Sequence, residues 1–271
     1  MNAPLTCAVV QLSSQDVVSE NLAKAGALVD AAAKAGAELV VLPENFAFMA
    51  TDTEKRAFAE PLGADGPISR FVVDAARANR VTLLAGGFPE RSGDAARPFN
   101  TAWLVGPNGE TVATYRKIHL FDVDVPGGRS YRESEATTPG VDPVLADVRG
   151  VKVGLTICYD LRFPELYRAL AQKGADVLTV PAAFTLQTGK DHWVPLLRAR
   201  AIENQAYVLA AAQWGTHPQG RATYGKSMII DPWGDVIAQA PEGPGFALAR
   251  LDFAYQARVR AAMPCGAHRR L

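Results

Sequence analysis

The chain has 271 residues, 48% of them hydrophobic and 21% charged, a composition that supports a sizeable core and excludes a disordered polymer. Lysine plus arginine and aspartate plus glutamate number 28 each, so no net basic field draws in nucleic acid or an anionic membrane surface. No apolar run approaches the roughly 20 residues that cross a bilayer, the N-terminal segment lacks the pattern of a secretion signal, and three cysteines are too few for a disulfide scaffold. The expectation is a cytoplasmic protein with no membrane or nucleic-acid partner.

The apolar pattern then alternates between strand and helix. Cys7–Leu12 is a short apolar strand. Leu22, Ala25, Val29, Ala32 and Ala33 recur at helical spacing until Gly36 stops the helix. Leu39–Leu42 is a continuous apolar strand closed by Pro43. Pro67 opens a second helix with Ile68, Phe71, Val72, Ala75 and Ala76 on one face. Val81–Ala85 is the next strand, and Ala102–Val105 and Thr111–Tyr115 flank a turn at Pro107-Asn108-Gly109.

The same order repeats. Lys152–Ile157 is a strand, Pro164–Gln172 a helix, and Val177–Val180 a strand closed by Pro181. A helix over about His192–Asn204 leads to strand Tyr207–Ala212, and Met228–Ile230 and Val236–Ala238 flank a second turn at Asp231-Pro232-Trp233-Gly234. The letters echo too: Gly36-Ala37-Glu38-Leu39-Val40-Val41-Leu42-Pro43 answers Gly174-Ala175-Asp176-Val177-Leu178-Thr179-Val180-Pro181. A duplicated unit explains both. Continuous apolar strands need cover on both faces, so the expected α/β fold is two sheets packed face to face with helices outside each. Glu133–Pro143 reads as a long loop and no linker separates the halves, so residues 1–271 are expected to form a single domain.

Working residues of α/β sheets gather beyond the carboxyl ends of the strands. Glu44 follows Leu39–Leu42, Lys117 follows Thr111–Arg116, and Cys158 follows Lys152–Ile157. The repeat has Ala182 where Glu44 stands, so the acid is no requirement of the scaffold, and each half is expected to supply different parts of one shared site. A thiol becomes a strong nucleophile only with a base or cation nearby. A carboxylate in a confined pocket, its pKa raised by desolvation, suits it to take the thiol proton. An ammonium beside both stabilises the oxyanion formed when sulfur attacks a carbonyl. Those are the tasks of amide hydrolysis through a thioester; taken singly, the same residues also read as an inert thiol and two solvated charges.

Leu42-Pro43-Glu44-Asn45, Tyr115-Arg116-Lys117-Ile118-His119-Leu120-Phe121 and Ile157-Cys158-Tyr159-Asp160-Leu161-Arg162-Phe163-Pro164-Glu165 resemble, in this order, the three signature segments of the nitrilase superfamily of carbon–nitrogen hydrolases. The resemblance covers nearly the whole chain. It implies Glu44 as general base, Lys117 as oxyanion stabiliser and Cys158 as nucleophile, on an elbow where the backbone N–H of Tyr159 helps hold the oxyanion. A second glutamate, which in relatives supports the lysine and the proton transfers, matches Glu133. The family's fold, a four-layer α-β-β-α sandwich built from two similar halves, agrees with the duplicated pattern. The resemblance also implies a homodimer or larger homo-oligomer.

Lys117–Val125 with Pro126-Gly127, His192-Trp193, Leu197–Glu203, Ala211–Gly215 and Tyr224–Met228 are similar to the Nit branch of the family, and within it to amidases of deaminated glutathione. Those cleave the amide between a 2-oxoglutaryl unit and Cys-Gly. The ω-amidases, acting on 2-oxoglutaramate, resemble this chain less around Ala211–Met228. The nitrile-hydrolysing branch usually carries Cys-Trp-Glu, where this chain has Cys158-Tyr159-Asp160.

An oxoacid ends in a carboxylate, best held by a guanidinium. Arg162 is one candidate, with a structural ion pair as the other reading. Arg221 is a candidate for the Cys-Gly end or a solvated loop charge, and His192 for pocket lining or a structural hydrogen bond. Trp193 reads as a core or pocket-wall residue, Arg198 and Arg200 as salt-bridge or interface residues. The histidines (His119, His192, His217, His268) lack metal-ligand spacing, so no metal and no cofactor is expected. No Gly-x-Ser-x-Gly elbow occurs, and Gly86-Gly87 alone is a weak phosphate motif. Cys7 reads as a buried hydrophobe and Cys265 as a tail residue. The expected function is a thiol amidase acting on a small-molecule amide; a non-catalytic binding protein on the same scaffold is the alternative.

Overall fold

The structure, a computed structural model, describes residues 2–63, 65–125 and 130–270, with 52 and 53 described by their backbone alone; Pro126-Gly127, quoted above, lies outside the described residues. The first half runs β1 (Leu5–Gln11), α1 (Val18–Lys34), β2 (Leu39–Val41), α2 (Asp52–Ala57), α3 (Pro67–Asn79), β3 (Thr82–Glu90), β4 (Phe99–Val105) and β5 (Thr111–Arg116). A small hairpin, β6 (Asp122–Asp124) with β7 (Ser130–Arg132), and then β8 (Val144–Val148) lead to the second half. That half runs β9 (Val151–Leu155), α4 (Pro164–Gln172), β10 (Val177–Thr179), α5 (Leu186–Asn204) and β11 (Tyr207–Ala210). A hairpin, β12 (Trp214–Thr216) with β13 (Ala222–Tyr224), precedes β14 (Met228–Ile230), β15 (Val236–Gln239) and β16 (Gly245–Leu251), followed by α6 (Phe253–Ala262) and α7 (Cys265–His268).

The strands form two large sheets, ordered β16-β1-β2-β3-β4-β5 and β15-β14-β11-β10-β9-β8. In each, three parallel strands continue into an antiparallel hairpin, β1-β2-β3 into β4-β5 and β9-β10-β11 into β14-β15. An antiparallel strand closes the other edge, β16 on β1 and β8 on β9. The duplicated letters are therefore a duplicated topology.

Side chains alternate across the first sheet. Cys7, Val9, Leu39, Val41, Leu84, Leu104 and Tyr115 join the core shared with the second sheet, while Ala8, Val10, Val40, Leu42, Leu83 and Trp103 pack with α1 and α3. Leu166, Tyr167 and Leu170 of α4 and Trp193, Leu197 and Ala201 of α5 cover the outer face of the second sheet. The layering is α-β-β-α, as expected. Full burial of such a side chain stabilises by roughly 1.5–3 kcal/mol, so this apolar mass lets charged groups be fixed at its edge.

Some boundaries differ from the sequence reading. α5 starts at Leu186 rather than at about His192, its first turns being polar and without a periodic apolar signal, and it continues through Pro195. β3 runs on through Gly86-Gly87, which lie at a close approach rather than in a phosphate loop. A Cβ on Gly86 would stand 2.2 Å from the Leu42 carbonyl oxygen and 2.4 Å from Pro181 Cβ; one on Gly87 would stand 2.5 Å from Asn100 Oδ1 and 2.8 Å from Glu44 Cγ. The ends of both sheets thus close on this strand. Among the described residues, no helix is long and apolar enough to cross a membrane.

Candidate active site

Glu44 lies just past β2, buried to 3% exposure, and the second half grips it. Its Oε2 accepts the Ala183 N–H (3.0 Å) and its carbonyl accepts Gln213 Nε2 (3.0 Å). Gln213 also donates to Ser14 Oγ (2.8 Å), so one amide side chain fastens two segments of the first half. Asn45, at φ 60°, donates its N–H to Gly87 O (2.7 Å) and turns the chain away.

Lys117 follows β5 directly. Its N–H bonds to Asn100 O and its carbonyl accepts Gly140 N–H, both at 2.8 Å, which extends the order of the strand by a residue. Nζ lies 3.1 Å from Glu44 Oε1 and 2.8 Å from Glu133 Oε2. The start of the expected Glu133–Pro143 loop is a 3-10 turn, Glu133–Glu135, and Glu133 Oε2 also accepts Phe121 N–H (2.7 Å). Asn100 Nδ2 donates to Glu44 Oε1 (2.9 Å) and Glu133 Oε1 (3.1 Å). One ammonium and one amide therefore hold two carboxylates together.

Cys158 opens a 3-10 turn, Cys158–Arg162, with φ 49°, a left-handed conformation uncommon for a side chain with Cβ. Its N–H donates to Pro181 O (2.8 Å). Asp160, fully buried, fixes the turn: it accepts Ile157 N–H (2.8 Å) and Tyr115 OH (2.7 Å) at Oδ2, and His119 N–H (3.1 Å) and Nδ1–H (2.8 Å) at Oδ1. The His119 ring stacks on Phe163, centroids 3.7 Å apart, and the buried Arg200 guanidinium donates to Leu161 O (3.1 and 2.7 Å). The Tyr159 amide sits in the first turn of this 3-10 helix, where N–H groups have no partner within the helix.

Burial pushes the Glu44 carboxyl up, but the Lys117 ammonium, hydrogen bonds from Cys158 and Asn100, and the charge of Lys55 outweigh it and bring it down to about 2. This corrects the expectation that confinement alone would raise it. An ion pair at 4 Å gains roughly 4 kcal/mol at an effective dielectric of 20, and here the ammonium stands closer. Burial opposes the charge on Lys117, yet Glu133 and Glu44 outweigh it and raise that pKa. Burial pushes the Cys158 thiol up; Glu44 adds to this, exceeding the lowering by Lys117 and by the Ala183 N–H. The resting site holds a carboxylate at Glu44, an ammonium at Lys117 and a neutral thiol.

These groups line a cleft of about 50 Å³ whose walls include Lys55, Phe121, Tyr131, Tyr159, Phe184 and Arg221. The structure brings Glu44, Lys117, Cys158, Glu133 and Arg221 to one cleft; Arg162 and His192 do not line it. Arg162 NH1 lies 3.3 Å from Nδ1 of the exposed His192, and its guanidinium is 5.1 Å from the Phe184 ring centroid. Trp193 is buried against Phe184 and donates to Lys226 O (3.0 Å), while Arg198 donates to Gly234 O (2.7 Å). Sequence reasoning missed Asn100 and Lys55, since neither stands in a recognisable motif. The stacking of Asp160 bonds between two signature segments was also unforeseen, although the residue itself lies in one of them.

The sequence profile of the carbon–nitrogen hydrolase family matches residues 6–261. A deaminated glutathione amidase of Synechocystis is 49% identical over 269 residues, covering 98% of each chain. A human protein of the same name is 46% identical over 269 residues, covering 97% of this chain and 81% of its own. The crystal structure of Saccharomyces cerevisiae Nit3, a member of branch 10 of the nitrilase superfamily, superimposes with a TM-score of 0.89 at 32% identity, covering 99% of this chain and 97% of that one.

Proposed function

Because this chain belongs to the carbon–nitrogen hydrolase family, we propose that it is a thiol amidase that hydrolyses deaminated glutathione to 2-oxoglutarate and Cys-Gly through a thioester on Cys158. The observation that carries the chemistry is the convergence of Glu44, Lys117 and Glu133 on the cleft that holds the Cys158 sulfur. The substrate assignment is supported by relatives of that name at 46–49% identity over nearly the whole chain.

Glu44 takes the thiol proton as sulfur bonds to the amide carbon, and the carbonyl π electrons move onto oxygen. The resulting oxyanion is held by Lys117 Nζ and the Tyr159 N–H. Protonation releases Glu44 from its pairing with Lys117 at the moment the oxyanion needs that ammonium. Negative charge moves from one partner of Lys117 to another, so no net charge is created in a buried site. This is how so weak a base in the resting state serves: proton transfer is tied to C–S bond formation. The tetrahedral species collapses with cleavage of the C–N bond, and Glu44 delivers its proton to the departing amine. Water then enters, Glu44 removes its proton, oxygen attacks the thioester, and the C–S bond breaks to restore the thiol. Glu133 keeps Lys117 aimed throughout. We place the enzyme in the cytoplasm, where Cys7, Cys158 and Cys265 remain thiols.

The test is intact-mass spectrometry during turnover of deaminated glutathione. A transient adduct of a 2-oxoglutaryl unit should appear on wild-type protein and vanish in Cys158→Ala, with turnover abolished and folding retained. Full activity in Cys158→Ala overturns the assignment, and a clear preference for 2-oxoglutaramate makes the enzyme an ω-amidase.

A further inference from the structure

A second cavity, of about 350 Å³, adjoins the cleft over Cys158 and shares Tyr131, Thr185 and Arg221 with it. The two spaces meet at those three residues, so an extended substrate seated over Cys158 can run from one into the other. We infer that this second cavity is the leaving-group subsite, and that Arg221 there receives the carboxylate of a dipeptide-like amine. The inference rests on the amidase reading above and sets the substrate class of the same site.

Direction follows from the chemistry. The departing nitrogen must lie where protonated Glu44 can reach it. Glu44 Oε2 accepts the Ala183 N–H at 3.0 Å, and the carbonyl of the same Ala183 accepts Arg221 NH2 at 3.4 Å. Arg221 therefore marks the flank of the cleft on which the amine leaves. Its guanidinium lies 5.7 Å from the Tyr131 ring centroid, and its Nε–H is buried with no hydrogen-bond partner among the described residues. A planar fork with an unused donor matches a carboxylate. Further out, Lys190 and Asp191 line the same cavity with opposite charges, leaving Arg221 to set the sign of its inner end.

The arginine is presented by a stiff turn. Gln219 and Gly220 adopt left-handed conformations at the tip between β12 and β13. His217 bridges Ser14 O (2.8 Å) and Thr223 Oγ1 (2.7 Å), and Tyr224 N–H bonds Phe184 O (3.0 Å). The hairpin is thereby pinned to both halves, and ordering Arg221 costs little when substrate arrives.

The experiment is a cycle between this residue and the substrate carboxylate. Wild type and Arg221→Met are compared on deaminated glutathione, on its analogue with the terminal glycine replaced by methylamine, and on 2-oxoglutaramate, whose leaving group is ammonia. Arg221→Met should lose at least tenfold in kcat/KM on deaminated glutathione, chiefly through KM. Wild type should lose a similar factor on the carboxylate-free analogue, and the variant less than threefold between those two substrates. Its loss on 2-oxoglutaramate should be several-fold smaller, which also reports that the variant is folded. Equal losses on deaminated glutathione and 2-oxoglutaramate, or losses that multiply across the cycle, overturn the inference while leaving the amidase intact. A wild type inert toward deaminated glutathione overturns the functional reading and the inference together, and is distinguished because it shows before any variant is made.

Discussion

The Tyr115 hydroxyl donates a 2.7 Å hydrogen bond to Asp160 Oδ2, joining a residue two before Lys117 to one two after Cys158. The ammonium and the sulfur come from different sheets, and this buried contact sets the offset between their backbones. Burial and the adjacent Asp160 push the phenol pKa far up, so Tyr115 stays a donor. In Tyr115→Phe, Asp160 keeps its three other bonds, so the expected stability loss is about 1–2 kcal/mol. Misplacement near the chemistry is costlier in rate, so kcat should fall about tenfold or more with a smaller change in KM. Urea unfolding and steady-state kinetics on the same preparation check this, and an unaltered kcat would confine Tyr115 to stability.

Removing the ammonium inverts the titration of Glu44. In the native site its pKa, about 2, lies below the ordinary 4.5, so its contribution to stability is present above pH 4.5 and is lost as pH falls through about 2. In Lys117→Met, burial, the largest influence on this carboxyl, is opposed only by Lys55 and the hydrogen bonds from Cys158 and Asn100, and the Glu44 pKa is expected to rise above 4.5. The variant's stability should then decline as pH climbs from 4.5, over a range in which Glu44 leaves the wild type level. Loss of the proposed oxyanion partner should cost roughly 100–1000-fold in kcat. Denaturant midpoints between pH 4 and 8 carry the decision, since parallel slopes in the two proteins would show that Lys117 does not govern this carboxylate.

What could be read in the letters follows what repeats and what is local. The parallel trios announced themselves as continuous apolar runs, and Glu44, Lys117 and Cys158 as reactive residues at strand ends. β8 and β16 escaped notice because they are half-exposed edge strands with irregular alternation. Asn100 escaped because its function is a pair of hydrogen bonds to residues 56 and 33 positions away, and no spacing along the chain encodes that. The sign of the Glu44 shift was missed for a related reason: burial is legible in an apolar neighbourhood, whereas the distance of an ammonium from a carboxylate depends on how the segments around β2 and β5 come together.

His217 predicts a second dependence on pH, remote from the chemistry. Burial, with the nearby Arg221 charge, holds its pKa below the ordinary 6.5 despite the bond to Ser14 O. Ser14 O can only accept, so Nδ1 carries the proton and Nε2 accepts from Thr223. A histidine kept neutral by folding contributes stability above pH 6.5 that is lost as pH falls below it. Wild-type melting temperature should therefore drop between pH 6.5 and 5 more steeply than that of His217→Asn. Coincident curves would remove His217 as the acid-sensitive latch of the hairpin that presents Arg221.

Adjacent glycines of β3 should separate stability from activity. A methyl group on Gly86 meets the Leu42 backbone oxygen at 2.2 Å and the Pro181 ring at 2.4 Å, neither of which can swing aside. Gly86→Ala must push apart the strand ends of the two halves, and overpacking of this kind costs about 1–3 kcal/mol or more. A methyl group on Gly87 instead meets side chains, Asn100 Oδ1 at 2.5 Å and Glu44 Cγ at 2.8 Å. Those can yield, but in yielding they move Glu44, the proposed general base, and the amide that holds it against Glu133. Gly87→Ala should therefore lose less stability than Gly86→Ala and more of its kcat per unit of stability lost, tenfold or beyond. Thermal melts and kcat measured on both variants decide it: a Gly87→Ala enzyme with wild-type turnover would mean that the Glu44 position tolerates displacement and that the close packing of this strand serves the fold alone.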